Sequence, residues 1–243
     1  MHRRLAIALL AAAFVALMLL VASGFGYRGG TWELGTAFTM IKWAAYLGVG
    51  VSVLTIVSVV IVRPIGKLTV MLVGAFVIAA STAFIPWRWK QRAGAVPPIH
   101  DITTDTKDPP PFVAVLPLRA SAKNPAEYGG DSIAALQRAG YPALEPLVMR
   151  AVPGDAFARA RAAAGEMGWD LVAADSAGGR IEATATTTWF GFKDDVVVRI
   201  RPSGSGSVVD VRSVSRLGGS DVGTNAARIE AFLARLSGTS APD

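Results

Sequence analysis

The chain has no cysteine and only two histidines, and residues 1–92 contain a single acid, Glu33. Without cysteine there are no disulfides, no thiolate metal sites and no cysteine nucleophile, and the redox compartment is left open. Imidazole chemistry is confined to His2, at the extreme amino terminus, and His100. Several catalytic motifs are missing as well. No glycine-rich phosphate loop precedes a helix, because the Gly-Ser-Gly-Ser run at 204–207 lies between two strand patterns and reads as a turn. There is no nucleophile elbow, no His-Glu-x-x-His and no Asp-rich calcium loop. The expectation is a non-enzyme with no catalytic residue, no metal site and no cofactor.

The shortage of acid in the first third settles how the charge is read. The net charge of +6 and pI near 10.0 invite a nucleic-acid partner. Yet residues 1–92 hold nine Lys/Arg against Glu33, and the remainder holds 15 against 17 acids. The basic excess therefore flanks apolar segments, as in membrane proteins, and leaves no basic patch interleaved with aromatics to follow a phosphate backbone. Nucleic acid is not an expected partner.

What is abundant is apolar surface: 52% of residues are hydrophobic and the mean hydropathy is +0.43. Three uncharged runs, Leu5–Ser23, Trp43–Val62 and Leu68–Ile85, each approach the roughly 20 residues that cross a bilayer core. Arg3 and Arg4 before the first run resemble a signal peptide, but no clean cleavage site follows, so an uncleaved helix is expected. The connector Arg63-Pro64-Ile65-Gly66-Lys67 carries two positive charges and reads as cytoplasmic. Trp32, Trp43, Trp87 and Trp89 then share the outer interface. Hydroxyls of Ser52, Thr55, Ser58, Thr69, Ser81 and Thr82 can bond back to helix carbonyls, and Gly48, Gly50 and Gly74 permit close helix packing. No ionisable side chain lies mid-membrane, which disfavours transport by this chain alone.

The organisation expected is a three-helix transmembrane region at 1–92, a proline-rich linker at 93–112 and an α+β domain at 113–243. In the last, Gly179–Arg216 reads as three antiparallel strands. Ile181, Ala183 and Ala185 alternate with polar residues, as do Val196, Val198 and Ile200, then Val209 and Val211. Pairing Ile200 with Val209 and Ile181 with Ile200 keeps the apolar residues on one face. The other face then carries a Glu182–Arg199–Asp210 row with Arg212. That row is expected to be solvated, with cross-strand ion pairs; a charged binding face is the alternative. Helices are expected at Asp131–Ala139, Pro153–Met167 and, capped by Ser220, Asp221–Leu236, with further strands at Leu147–Val152 and Trp169–Ala174. The sum is an antiparallel sheet with helices packed on one face.

Two places carry chemistry or binding. His100-Asp101-Ile102-Thr103-Thr104-Asp105 is the densest set of capable side chains. One reading is an acid–base or metal site, with His100 as base and Asp101 or Asp105 as orienter or ligand. The other is a structured linker of local Asp and Thr turns. The tip Trp189-Phe190-Gly191-Phe192 places rings where polar turn residues are usual. Trp189, Phe190 and Phe192 are either an exposed finger for a membrane interface, partner or apolar ligand, or rings folded over the sheet end.

The segments PPIHDITTDTKDPPPF, GRIEATATTTWFGFKDDVVVRIRP and VDVRSVSRLGGSDVGTNAARI, in this order and spacing, resemble the domain-of-unknown-function 1499 family over about residues 95–237. The resemblance implies an uncharacterised domain, often membrane-tethered or exported in bacteria, with no assigned catalytic residues. Together these observations predict a multi-pass bacterial inner-membrane protein with its domain on the periplasmic side. It is expected to act as an accessory module whose partners are the lipid bilayer and another membrane protein or an apolar ligand. An enzyme using His100, Asp101 and Asp105, and a purely structural subunit, are the alternatives.

Overall fold

The computed structural model describes residues 2–238; residues 1 and 239–243 of the expected domain ranges lie outside it. The chain divides into two compact units. The first is residues 1–91 with the segment Thr188–Gly191, and the second is Arg92–Thr187 with residues 192–243.

The first unit holds α1 (His2–Arg28) and α2 (Leu34–Val62). It also holds most of α3, which runs from Lys67 to Ala95. All three helices are long and apolar enough to cross a membrane. Each outlasts the uncharged run that predicted it, because a helix needs no apolar side chains once it leaves a hydrocarbon core. The α1–α2 connection accordingly shrinks from residues 24–42, which separate the first two uncharged runs, to a few residues around Trp32, whose indole donates to Ser23 O at 2.9 Å. α2 stops where Arg63 turns left-handed (φ 46°) before Pro64, a residue that disfavours helix at the position preceding it. Ser52, Thr55, Ser58 and Thr82 bond back to Gly48, Val51, Leu54 and Ile78 carbonyls at 2.7–2.8 Å. Gly48 lets α2 approach the α3 backbone at Ala79, whereas Gly50 and Gly74 face open space.

The second unit is the α+β domain expected. Its antiparallel sheet has the order β1-β6-β5-β4-β3, with β2 also paired to β6. The strands are β1 (Asp101–Thr103), β2 (Leu147–Met149), β3 (Asp170–Asp175), β4 (Arg180–Thr186), β5 (Lys193–Ser203) and β6 (Gly206–Ser215). β2 is shorter than the strand read to Val152, because Pro153 opens α5 four residues after Met149. β1 and β2 share one edge of β6, opposite Arg212–Val214 and Ser207–Val209 respectively. The helices are α4 (Gly130–Gly140), α5 (Pro153–Glu166) and α6 (Thr224–Ser237).

The β5–β6 register is the one expected, Ile200 opposite Val209 and Arg199 opposite Asp210. The β4–β5 register differs: Ile181 faces Val198, two residues from the predicted Ile200. A slip of two keeps every side chain on its own face, so alternation alone cannot choose between the registers. On one face Ile181, Ala183, Val196, Val198, Val209 and Val211 pack against Phe157, Ala160, Ile229 and Phe232 of α5 and α6. α6 starts three residues later than expected. Gly223, at φ 77°, precedes it, and the Asp221 carboxylate accepts from Gly223 N at 2.9 Å and Asn225 N at 2.7 Å.

Candidate functional site

The opposite face of the sheet differs from expectation. It is not solvated, because Glu182, Asp195 and Asp210 are fully buried and Asp101 and Arg212 nearly so. The cover is the segment 104–128, a strap with little regular structure of its own beyond a 3-10 turn at Leu116–Arg119. Phe112 and Val115 of the strap form a small apolar cluster with Val197 and Val214. Their burial holds the strap down, and the charges around them close the rest.

Each charge on this face has a partner. Asp101 takes a two-pronged bond from Arg212, at 2.9 and 2.8 Å, and the same guanidinium donates to the carbonyls of Pro110 and Ala126. Its central carbon, Cζ, lies 5.0 Å from the Phe112 ring centroid and 5.5 Å from that of Tyr128. Asp195 is held by Arg119 at 2.6 Å and by Arg216 at 2.8 and 2.7 Å, with Thr184 donating at 2.8 Å. Burial alone would raise the Asp195 carboxyl, but the bonds from Arg216, Thr184 and Arg119 outweigh it and hold the group below its ordinary value. Glu182 accepts from the backbone N–H of Val113 at 3.0 Å and of Val115 at 3.0 Å, so one carboxylate substitutes for a missing strand. Arg199 ties Asp210 at 3.0 Å to Asp108 at 2.9 Å and Asp105 at 3.4 Å. Tyr128 is pushed up to about 12, chiefly by burial and then by Asp101.

The sequence-predicted candidates can now be placed. Asp101 belongs to β1, a strand that proline-rich composition concealed, and is committed to Arg212. Asp105 caps a turn, accepting from Lys107 N and Asp108 N at 3.0 Å, and pairs with Arg199 and Arg201. His100 is half-buried, and its carbonyl accepts from Ser215 N and from Asn225 Nδ2, both at 3.0 Å. No group of three or more His, Asp or Glu among the described residues is placed to hold a metal ion. Arg199 and Arg212 are internal clamps between strap and sheet. Arg119 and Arg216 escaped the sequence reading as clamps, Arg119 because it lies on no strand pattern and Arg216 because it falls past the last alternating pair of its strand.

The aromatic tip is not a free finger. Phe190 is 4% exposed, with its ring 5.9 Å from Tyr27 and 6.1 Å from Phe38. Trp189 donates its indole N–H to Val21 O at 2.9 Å, lies 5.0 Å from Trp89, and sits over Gly24, where a Cβ would collide with it. Thr188 O accepts from Arg28 at 2.5 Å. Phe192, half-buried, belongs to the second unit and donates its N–H to Thr187 Oγ1 at 2.9 Å. The glycines of Ser23-Gly24-Phe25-Gly26 are the signal that foreshadowed this seat, Gly26 receiving Trp32 as Gly24 receives Trp189.

Fold and site together define a protein with three helices able to span a membrane and a strap-sealed antiparallel α+β domain. Residues 101–236 match the family model described as "Protein of unknown function (DUF1499)", and the chain belongs to that family. Neither a curated protein nor a solved structure matches the chain.

Proposed function

We propose that this protein is a membrane-anchored accessory module that binds rather than catalyses. The supporting observation is the fate of its chemically capable side chains. Asp101, Glu182, Asp195 and Asp210 beneath the strap, and Asp105 within it, are each paired with an arginine or with backbone N–H groups. Catalytic groups need an open face and a place for a reacting atom. A face this closely paired serves rigidity, and rigidity suits a domain that presents surface to a partner.

In this reading the bilayer and another membrane protein are the partners, and a small ligand is secondary. The membrane is a bacterial inner membrane, with Arg63 and Lys67 on the cytoplasmic side. Three spans then carry the domain to the periplasmic side. Trp189 and Phe190 serve the chain's own helices, so the contact with a partner falls to other surface, including Val148 on β2, 71% exposed. The test is purification of the full-length protein in a gentle detergent, with quantification of what accompanies it, beside the His100→Ala variant. A membrane protein at fixed stoichiometry, retained in His100→Ala, supports the module. A solitary chain whose cellular role disappears with the His100 imidazole while its fold persists returns the argument to an enzyme.

A further inference from the structure

A cavity of about 380 Å³ lies in the second unit between the end of α5, the start of α6 and the end of β4. That volume falls within the usual range for small-molecule sites. Its buried lining is Trp169 and Ala185, and Thr186, Thr187 and Thr224 line it with half-exposed or exposed hydroxyls. Trp169 is 8% exposed, and its ring stacks on Phe232 at 5.1 Å. Its indole N–H nevertheless donates to no acceptor among the described residues, and the nitrogen is not sealed from solvent. Buried indoles normally find a partner. This one belongs to a ring that lines the cavity.

Arg228 also lines the cavity, but its charge is spent. It pairs with Asp194 at 2.6 Å, donates to Ser213 Oγ at 3.0 Å and bonds Asn225 Oδ1. The cavity therefore offers no net charge to a ligand. It offers an N–H donor, the hydroxyls of Thr186 and Thr224, that of Thr187 as a donor while it accepts from Phe192 N, and the apolar surface of Met167, Ala185 and Ala227. We propose that this cavity binds an uncharged, hydroxyl-rich ring, a saccharide or a polyol of similar shape, with one ligand oxygen accepting from Trp169 Nε1. This site is independent of the partner contact proposed above.

The test uses the full-length protein in nanodiscs, labelled with fluorotryptophan, with the Trp169 signal assigned by its loss in Trp169→Phe. Glucose and N-acetylglucosamine are titrated, and acetate serves as the anionic probe. A saturable shift of the Trp169 signal by at least one sugar, with acetate silent, is the expected result. In Ala227→Trp, which places a large ring at an exposed lining position on α6, the sugar affinity should fall at least tenfold with the thermal transition unchanged. Silence toward both sugars overturns the proposal. So does an undiminished shift in Ala227→Trp, or a shift produced by acetate, which would mean that charge governs recognition.

Discussion

Glu182→Ala tests the strap most sharply. The carboxylate is fully buried and its two oxygens hold Val113 N and Val115 N at 3.0–3.1 Å. Truncation leaves the Val115 N–H in a fully buried residue without an acceptor, a cost of about 1–3 kcal/mol. It also removes the charge-assisted bonds themselves, each contributing about 1.5–3 kcal/mol. Arg180, 3.2 Å away with a side chain one-third exposed (33%), rehydrates and adds little. The unsatisfied N–H is part of the loss of its own bond, so the two bonds together set the cost at about 3–6 kcal/mol, a fall in Tm on the order of 10–20 °C for a domain of this size. Glu182→Gln keeps one acceptor oxygen and should lose about half as much. Thermal unfolding and hydrogen exchange at the amides of Val113–Leu118 read the two consequences. Unchanged exchange there in Glu182→Ala would refute the claim that this carboxylate anchors the strap.

Arg199→Met should cost about 3 kcal/mol, the low end for breaking a buried pair, because Arg201 still reaches Asp210 at 3.0 Å; a denaturant midpoint measures it. Acid should weaken the domain through Asp195. Its folded carboxyl sits below its unfolded value near 3.9, so its contribution is present above about pH 4 and lost as pH falls further. Asp195→Asn, less stable at neutral pH, should show a flatter acid limb in a pH series of melts. Asp221 acts in the opposite sense, since burial, reinforced by Asp194, outweighs the bonds from Asn225 and Gly223 and raises it; its ionised form costs stability that acid removes. Gly24→Val should unseat Trp189 and expose Thr188–Gly191 to protease, and an unchanged cleavage rate would count against that seat.

Period-two alternation made β4, β5 and β6 legible, because Ile181, Val196, Val198 and Val209 have one apolar face to satisfy. The apolar runs announced the three long helices for a similar reason. The polar face was misread because alternation records which residues share a face and not what covers it. The cover comes from the strap 104–128, which has no period to detect, and whose bonds at Val113, Val115 and Arg119 run to residues about 70 to 95 positions away. β1 is three residues long and lies beside prolines, so only its pairing with Arg212–Val214 reveals it. At the tip, Trp189 and Phe190 were recognised as unusual, but their seat at Val21, Gly24 and Phe38 depends on tertiary contact.

Native mass spectrometry of the full-length protein, released from membranes at its natural abundance, tests the proposed role most directly. A binding module predicts the 25.4 kDa chain within an assembly of fixed stoichiometry containing a second membrane protein. Only the free chain, in every gentle release condition, would contradict it.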